Sequence, residues 1–369
     1  MSTAGWSWPF VCSNCRRPYA PEGFPHVCPA CGGLYDVDRP LEHTLDPDPT
    51  ARGLARFRPG FALPPGAGLI TLGEGSTPLV AAAAAGGTIH FKCEHLNPTG
   101  SFKDRAAALI VSALIACGVR EVIEDSSGNA GAALAAYGAR AGISVRVFVP
   151  SQAAGPKRAQ MAAYGAQIVE VPGPRQAAGE AAREEAAAGA VYASHAHLPH
   201  GLAGMATIAY EIVEQLGGPP ASVVVPVGQG SLALGLHAGF EALRRAGRIG
   251  TAPALFGVQA RACAPLWAVH QAGAAGLGFV LEGPTVAEGI RIRHPLRGDA
   301  VLRAVEGSGG GLVAVDEPEI LAGRDALARL GLYVEPTSAV IWPALEALRA
   351  RLRPPVVAVL TGSGLKAPG

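Results

Sequence analysis

One lysine stands in a stretch whose other residues are mostly small or apolar. The segment LNPTGSFKDRAAA, residues 96–108, holds a turn, then Lys103, and then a pattern that predicts a helix. The positive end of a helix dipole and an apolar surrounding both disfavour an ammonium group, and so favour the free amine. A lysine kept as the free amine is a candidate Schiff-base nucleophile, whereas the competing interpretation is a solvated lysine in a first helical turn.

Two hydroxyl groups and an amide follow a predicted strand. The strand EVIED, residues 121–125, runs into SSGN, which supplies Ser126, Ser127 and Asn129 where the next helix is predicted to begin. These side chains and the N–H groups of a first helical turn suit a carboxylate and a phenolic oxygen. The competing interpretation is that Ser126 or Ser127 only caps the helix.

A turn with two glycines follows another apolar strand. The segment VGQGSL, residues 227–232, ends the run SVVVP and opens a predicted helix, so its backbone N–H groups form a candidate anion site. The residues concerned are Gly228, Gln229, Gly230, Ser231 and Leu232. The later glycines do not fit the dinucleotide-binding fingerprint, and no Gly-Lys-Ser/Thr sequence follows to make a Walker A loop. By itself the turn indicates either a phosphate site or a tight turn.

Thr361 supplies a neutral hydroxyl group at the end of the strand VVAVL. A single β-branched residue at the end of a buried strand needs no functional explanation. The combination is more informative, because it joins an imine-forming lysine, a phosphate cradle, a carboxylate cradle and a lone hydroxyl. That set fits one cofactor, pyridoxal phosphate, bound together with an amino-acid substrate.

The elements that must position these groups alternate along the chain. Short apolar strands separated by helices are typical of parallel strands buried on both faces, so an α/β fold with two open parallel-sheet domains is predicted. Ligands of such sheets bind beyond the carboxyl ends of the strands, where the three turns stand. The predicted strands are 121–125, 144–150, 167–172, 191–196, 222–228, 254–260 and 356–362, and the predicted helices are 103–117, 129–141, 156–165, 175–188 and 201–216.

Four of the seven cysteines form two Cys-x2-Cys pairs near the N-terminus: Cys12 with Cys15, and Cys28 with Cys31. Each pair makes a tight knuckle that presents two thiolates, and two knuckles close a tetrahedral four-sulfur site with no position open for water. The sequence therefore predicts a zinc ribbon with a structural metal. A redox Cys-x2-Cys motif is the alternative, and the paired knuckles disfavour it.

Composition sets wider bounds on the function. The chain has 369 residues, of which 49% are hydrophobic and 16% charged, and its formal net charge is +1. This balance favours a protein with a large core and gives no support for nucleic acid or a membrane as a partner. The first residues lack a basic segment followed by an apolar one, so we expect no signal peptide and a cytoplasmic location.

Several of these stretches together resemble threonine synthase, a member of the fold type II (tryptophan synthase β-like) group of pyridoxal-phosphate enzymes. The stretches are GEGSTPL (73–79), NPTGSFKDR (97–105), SSGN (126–129), EPTSA (335–339) and LTGSGLK (360–366). The N-terminal four-cysteine ribbon is also common in threonine-synthase-like proteins. The resemblance runs from about residue 70 to the end of the chain.

The resemblance implies a role for each candidate residue. Lys103 would carry the cofactor as a Schiff base and move protons at Cα and the neighbouring carbons. Asn129 would bond to the cofactor's ring oxygen, Thr361 would meet the pyridine nitrogen, and the backbone of residues 228–232 would hold the phosphate. Ser126 and Ser127 would position the substrate carboxylate. The implied reaction converts O-phosphohomoserine and water to threonine and phosphate.

The chain departs from the family pattern at the stretch that helps to hold the substrate's phosphate. Family members usually carry Asn-Pro-x-Arg there, but this chain reads Leu198, Pro199, His200, Gly201. A lysine that is common shortly afterwards is Ala206, and a hydroxyl residue common after Asn129 is Ala130. A dianionic phosphate needs cationic partners or many N–H donors. The candidate substitutes are Arg105, Lys157, Arg158, Arg291, Arg293, His195, His197 and His200.

We expect the ribbon in residues 1–40, and a linker with the first part of a larger domain in residues 41–94. A smaller domain with Lys103 and SSGN would span 95–205, and the rest of the larger domain 206–369. A homodimer is expected by analogy with the fold group. The alternative functions are a threonine or serine dehydratase, or another enzyme of β-elimination or replacement. A non-catalytic ribbon protein would lack the lysine or the phosphate turn, and both are present.

Overall fold

The computed structural model describes residues 6–20, 22–43, 47–153, 155–280 and 282–367. The strands are β1 (Phe10–Cys12), β2 (Tyr35–Val37), β3 (Leu79–Ala84), β4 (Gly87–Lys92), β5 (Glu121–Glu124), β6 (Ser144–Pro150), β7 (Gln167–Val171), β8 (Ser222–Pro226), β9 (Ala254–Ala260), β10 (Gly311–Val315) and β11 (Val356–Val359). The α-helices are α1 (Lys103–Ala116), α2 (Asn129–Ala141), α3 (Pro156–Ala163), α4 (Arg175–Ala187), α5 (Leu202–Leu216), α6 (Ser231–Arg245), α7 (Pro265–Ala272), α8 (Gly298–Gly307), α9 (Glu317–Arg329), α10 (Pro336–Ala339) and α11 (Ile341–Ala347). Two compact units divide the chain: residues 1–74 with 103–204, and residues 75–102 with 205–369.

The first unit combines the cysteine ribbon with a small α/β layer. In the ribbon, β1 pairs with β2 in the antiparallel direction. In the layer, β5, β6 and β7 form a three-stranded parallel sheet in that order. Helix α1 has the sequence KDRAAALIVSALIA, and residues 104–114 are all buried. A helix buried on every face belongs to a core and not to a surface, so Lys103 stands at the end of a fixed element.

The second unit is built on one six-stranded sheet with the order β10-β9-β8-β11-β4-β3. All neighbouring strands are parallel except β3, which pairs with β4 in the antiparallel direction at the edge. Strand β8 is buried at every residue, as expected for a strand covered on both faces. The core of this unit gathers residues of the central strands with α9, α10 and α11.

Most of the predicted elements are confirmed, and so is the α/β class. Gly142, whose φ of 69° is left-handed, follows the last residue of α2 and stops the helix. Helix α3 begins with Pro156 in its first turn. The predicted parallel sheets are confirmed, with an antiparallel exception at the edge strand β3. The predicted strand 191–196 is wrong: only Tyr192 forms a bridge, to Ile123. The chain then turns, because the N–H groups of His197 and Leu198 both donate to the carbonyl of Ser194. Within the described residues, no helix is long and apolar enough to cross a membrane.

His200, a candidate partner for the substrate's phosphate, is a buried histidine in the first unit. Its ring lies 4.4 Å from that of Trp8, 4.7 Å from Phe10, 4.9 Å from Phe24 and 5.2 Å from Tyr19. Neither ring nitrogen has a hydrogen-bond partner within the part of the chain that the structure describes. Burial lowers the pKa of His200 to about 3, so the ring is neutral where it packs.

The first prediction concerns stability at acid pH. The pKa of His200 is about 3 in the folded protein and about 6.5 in the unfolded chain. The neutral ring therefore contributes fully to the free energy of unfolding above pH 6.5, and this contribution is lost as the pH falls toward 3. Between pH 7 and pH 5 the loss is about 2 kcal/mol of unfolding free energy. Urea unfolding of the wild-type chain and of His200→Leu at both pH values measures it. Equal pH dependence in the two proteins would contradict the prediction.

Candidate active site

Lys103 is the first residue of α1, and its side chain contacts a histidine. Its Nζ lies 2.8 Å from Nε2 of His195. Both side chains line a small cavity of about 10 Å³, together with Glu124 and apolar side chains of α1 and α2. The volume is close to that of one water molecule. The lysine is therefore held inside the first unit by a neighbour that can exchange a proton with it.

Glu124, the last residue of β5, is an acid inside this apolar lining. Its side chain is buried, and its Oε2 has no hydrogen-bond partner among the described residues. Burial raises the pKa of Glu124 well above its usual value, and the nearby Asp125 carboxylate raises it further, whereas Arg175 and Lys103 oppose the shift. Burial therefore disfavours the ionised form of this carboxyl group.

The SSGN turn lies at the start of α2, but its serines do not cap the helix. The N-cap is Gly128 without a side-chain cap bond, and Oγ of Ser126 accepts a hydrogen bond from the Gly128 N–H at 3.3 Å. A Cβ at Gly131 would lie 2.0 Å from the Ser126 carbonyl oxygen, so only glycine permits this close turn. Ser127 is half-buried, and Asn129 is the first helical residue. The turn leaves its first-turn N–H groups without a side-chain cap, as an anion site requires.

The second unit contains the predicted phosphate turn before α6. The helix begins at Ser231 after Gly230, which has a φ of 87°, and no side chain caps it. A Cβ at Gly230 would lie 2.2 Å from a methyl carbon of Val301, and one at Gly228 would lie 3.0 Å from Cα of Ile290. Both glycines are therefore required by packing and, at Gly230, by backbone conformation.

The other predicted members of this turn have different surroundings. Oε1 of Gln229 accepts a hydrogen bond from the backbone N–H of Leu296 at 3.1 Å, which anchors the side chain and leaves the backbone as the candidate ligand. Leu232 is buried in the first turn of α6. The features of this turn fit a phosphate group bound by backbone N–H donors.

Thr361 follows β11 in the second unit and is buried. Its Oγ1 lies 2.9 Å from Oγ of Ser338, which also accepts hydrogen bonds at 2.8 Å from the N–H groups of Thr361 and Gly362. The Ser338 hydroxyl also lies within donating distance of the Gly362 carbonyl, at 3.2 Å, so Ser338 holds the Thr361 hydroxyl in place and either of the two oxygens can be the donor between them. Ser338 lies in the EPTSA stretch, and sequence reasoning gave it no role.

The cysteine cluster has the geometry of a metal site. The four sulfur atoms of Cys12, Cys15, Cys28 and Cys31 all lie within 4.8 Å of one another, with 3.5 Å from Cys12 to Cys31 and 3.6 Å from Cys15 to Cys28. Tetrahedral zinc with bonds of about 2.3 Å would separate its sulfurs by about 3.8 Å. A Cβ at Gly33 would lie 2.8 Å from Sγ of Cys12, so glycine is needed beside the sulfurs. The cluster fits a structural zinc ion.

The stretch that departs from the family pattern is packed against α1. A Cβ at Gly201 would lie 2.7 Å from the Cβ of Ala106, and one at Gly204 would lie 2.1 Å from the Arg105 carbonyl oxygen. Leu198 and Ala206 are buried. No guanidinium can extend from position 201 unless α1 moves.

The candidate replacement cations have other surroundings. Arg105 is fully buried, Arg158 pairs with Glu170, and Arg291 pairs with Glu282 at 3.2 Å. The guanidinium of Arg293 donates to the backbone carbonyl of Val280 at 2.5 Å. These contacts favour a structural role for the four arginines over anion binding.

Comparisons with known proteins identify the class of protein. The family of pyridoxal-phosphate dependent enzymes matches residues 70–362. A solved threonine deaminase from T.th. is 28% identical with a TM-score of 0.63, covering 78% of this chain and 92% of that one. The chain therefore belongs to the family of pyridoxal-phosphate dependent enzymes.

Comparison with curated protein sequences narrows the group of relatives within this family. The threonine synthase of Mycobacterium bovis is 37% identical over 311 residues, which cover 81% of this chain and 84% of that protein. The threonine synthase of Methanocaldococcus jannaschii is 31% identical over 375 aligned residues, which cover 97% of this chain and 92% of that protein. The likeness therefore extends over nearly the whole chain.

The second prediction tests the raised pKa of Glu124. Because its pKa is raised in the folded protein, the stability it contributes is present below about pH 4.5 and is lost as the pH rises toward the folded pKa. Relative to Glu124→Gln, the wild-type chain should lose up to about 1.4 kcal/mol of unfolding free energy per pH unit in that window. Urea unfolding at pH 5 and pH 8 measures the difference. If the difference in unfolding free energy between the two proteins is the same at pH 5 and at pH 8, burial does not raise the pKa of Glu124.

The third prediction concerns the cysteine cluster. Purified protein should contain one zinc ion per chain, and Gly33→Ala should weaken zinc binding by about 10- to 100-fold because the new methyl group displaces a ligand. Competition with a chromophoric chelator measures the affinity. Gly68→Ala is the control, since its methyl group would meet no atom within 4 Å. Equal zinc affinity in both variants would show that the sulfurs tolerate the methyl group.

Proposed function

We propose that this chain is a pyridoxal-phosphate-dependent carbon–oxygen lyase that converts O-phosphohomoserine and water to threonine and phosphate. The observation that carries the proposal is the placement of Lys103, in a chain whose curated relatives are threonine synthases. The lysine begins a buried helix and contacts an imidazole at 2.8 Å. Such a setting supports a lysine that must lose its proton to react.

Pyridoxal phosphate, when bound, supplies the electron sink that stabilises negative charge at the Cα of an amino acid. Lys103 is the group that we assign to joining the cofactor's aldehyde and to moving protons at Cα and Cβ. General-base work of this kind requires a free amine. Burial disfavours the ionised form of Glu124 in the cavity, which weakens its tendency to hold Lys103 as an ammonium ion.

The remaining cofactor contacts are assigned within each unit. In the first unit, Asn129 would bond to the ring oxygen, and Ser126 and Ser127 would hold the substrate's carboxylate with the uncapped N–H groups of α2. In the second unit, the backbone N–H groups of residues 228–232 would hold the phosphate. Thr361, oriented by Ser338, would bond to the pyridine nitrogen as a neutral partner, which leaves the ring a mild electron sink suited to elimination and replacement.

A second candidate function rests on the 198–206 stretch. The tight contact at Gly201 leaves no room for the arginine of the family pattern, and the buried Leu198 puts an apolar side chain where that pattern has an asparagine for the substrate's phosphate. This favours an enzyme for an uncharged leaving group, such as a threonine or serine dehydratase.

We also propose that the chain binds a structural zinc ion, forms a homodimer and is located in the cytoplasm. These three statements stay predictions.

The fourth prediction tests the assignment of Lys103. Lys103→Ala and Lys103→Arg should both lose the visible absorbance of the bound cofactor, and turnover should fall by more than about 1,000-fold. The arginine variant keeps the positive charge but cannot form an imine, so it separates chemistry from electrostatics. Wild-type absorbance in either variant would show that another lysine carries the cofactor.

The substrate is tested by product analysis of the cofactor-loaded protein. Release of inorganic phosphate with threonine as the product supports the first proposal, and Lys103→Ala serves as the control. Release of ammonia and a keto acid from serine or threonine, without phosphate release from O-phosphohomoserine, would replace it with the second.

A further inference from the structure

His195 shares one hydrogen bond with the amine of Lys103. At 2.8 Å between Nζ and Nε2, one nitrogen donates and the other offers its lone pair. Two cations at this separation repel, so the pair favours a state with a single positive charge. When Lys103 is the ammonium, His195 is neutral and oriented to accept; when His195 is protonated, Lys103 is the free amine.

The backbone fixes this geometry through the end of the parallel layer. The Ile123 N–H donates to the carbonyl of Val191, and the Ala193 N–H donates to the carbonyl of Ile123, both at 2.9 Å. The 191–193 segment therefore runs beside β5. Glu124 follows Ile123 in β5, and His195 comes two residues after Ala193; both line the same cavity. The turn at Ser194 then directs the chain away from the sheet.

The side chains that line the cavity around the pair come from several elements. Helix α1 supplies Lys103, and β5 supplies Glu124, whose own neighbours are Asp125 and Arg175. Helix α2 supplies Ala130 and Leu134, both apolar, to the cavity. Burial disfavours the ionised form of Glu124, which weakens its tendency to hold Lys103 as an ammonium ion.

We propose that His195 is the proton acceptor for Lys103, taking at Nε2 the proton that the ammonium must lose before its nitrogen attacks an aldehyde. The proposal rests on the proposed function only in taking Lys103 as the imine-forming residue. His195 lies three residues before Leu198, where the segment that departs from the family pattern begins.

The step balances without a co-reactant. The proton passes from Nζ to Nε2, which leaves a neutral amine and an imidazolium. The Nζ lone pair would then bond to the aldehyde carbon, and the aldehyde oxygen would take one proton from the imidazolium and one from the amine. That oxygen would leave as water, and a carbon–nitrogen double bond would remain with the last of the three ammonium protons on nitrogen.

The test measures imine formation directly and needs no turnover. Protein stripped of cofactor is mixed with pyridoxal phosphate, and the rate at which visible absorbance appears is followed from about pH 6 to about pH 9. His195→Ala should react about 100-fold more slowly near pH 7, with a rate that recovers at higher pH because solvent can then deprotonate the lysine. Added imidazole should restore the rate, since it can enter the space left by the side chain.

Two further variants separate proton transfer from packing. His195→Asn keeps a polar side chain that cannot take the proton, so it should be as slow as His195→Ala at pH 7. His197→Ala removes a histidine two residues away that does not line the cavity, so its rate should follow that of the wild-type chain. Circular dichroism confirms that each variant is folded.

The outcomes distinguish this inference from the proposed function. A wild-type rate in His195→Ala at every pH overturns the inference. A slow rate that neither recovers with pH nor responds to imidazole also overturns it, because His195 is then only structural. If Lys103→Arg still develops the absorbance, the assignment of Lys103 fails, and the proposed function fails with it.

Discussion

The burial of α1 is the constraint on which the candidate site depends. Residues 104–114 are buried on every face, so Lys103 at the first position cannot move independently of the core of its unit. The contact between Gly204 and the Arg105 backbone shows how closely neighbouring chain approaches this helix. Such packing tolerates little change in volume, so the side chains at the helix start keep one arrangement. The same packing that fixes the lysine also removes the space for a family arginine at position 201.

Lys92 and Lys103 have contrasting electrostatic surroundings. In the second unit, the buried Lys92 donates to Glu211 at 2.6 Å, to Gln215 at 3.0 Å and to the carbonyl of Thr77 at 2.7 Å. That surrounding stabilises an ammonium ion, and breaking such a buried pair typically costs about 3–5 kcal/mol. The half-buried Lys103 instead has an imidazole beside it, and a carboxyl group whose pKa burial raises. The chain thus holds one lysine as a structural cation and keeps the other able to lose its proton.

The sequence predicts much of the fold because its local signals agree with the tertiary structure. Strand β6 and helix α2 have the predicted bounds, since apolar runs and glycine stops mark them clearly. The hairpin of β3 and β4 was not predicted, because the run LVAAAAAGG is rich in alanine, a poor strand former. The segment 191–196 has strand composition, but a turn at Ser194 ends its pairing after one bridge.

The candidate site could be predicted only in part. Lys103, the SSGN turn and the cysteine pairs carry recognisable spacing, and the required glycines at 33, 131 and 230 have steric reasons that the structure makes explicit. Glu124 and Ser338 lie inside apolar or unremarkable stretches, and His195 stands among several histidines. Their relation to Lys103 or Thr361 depends on contacts between residues far apart in sequence, which spacing alone does not reveal.

The most direct test of the central claim is chemical trapping of the cofactor. Cofactor-loaded protein is reduced with borohydride, digested, and analysed by mass spectrometry for the peptide that carries the pyridoxyl group. The account predicts that the mass is added at Lys103 alone, within the segment that follows NPTGSF. Pyridoxyl attached to Lys92, Lys157 or Lys366, or to no lysine at all, would contradict it.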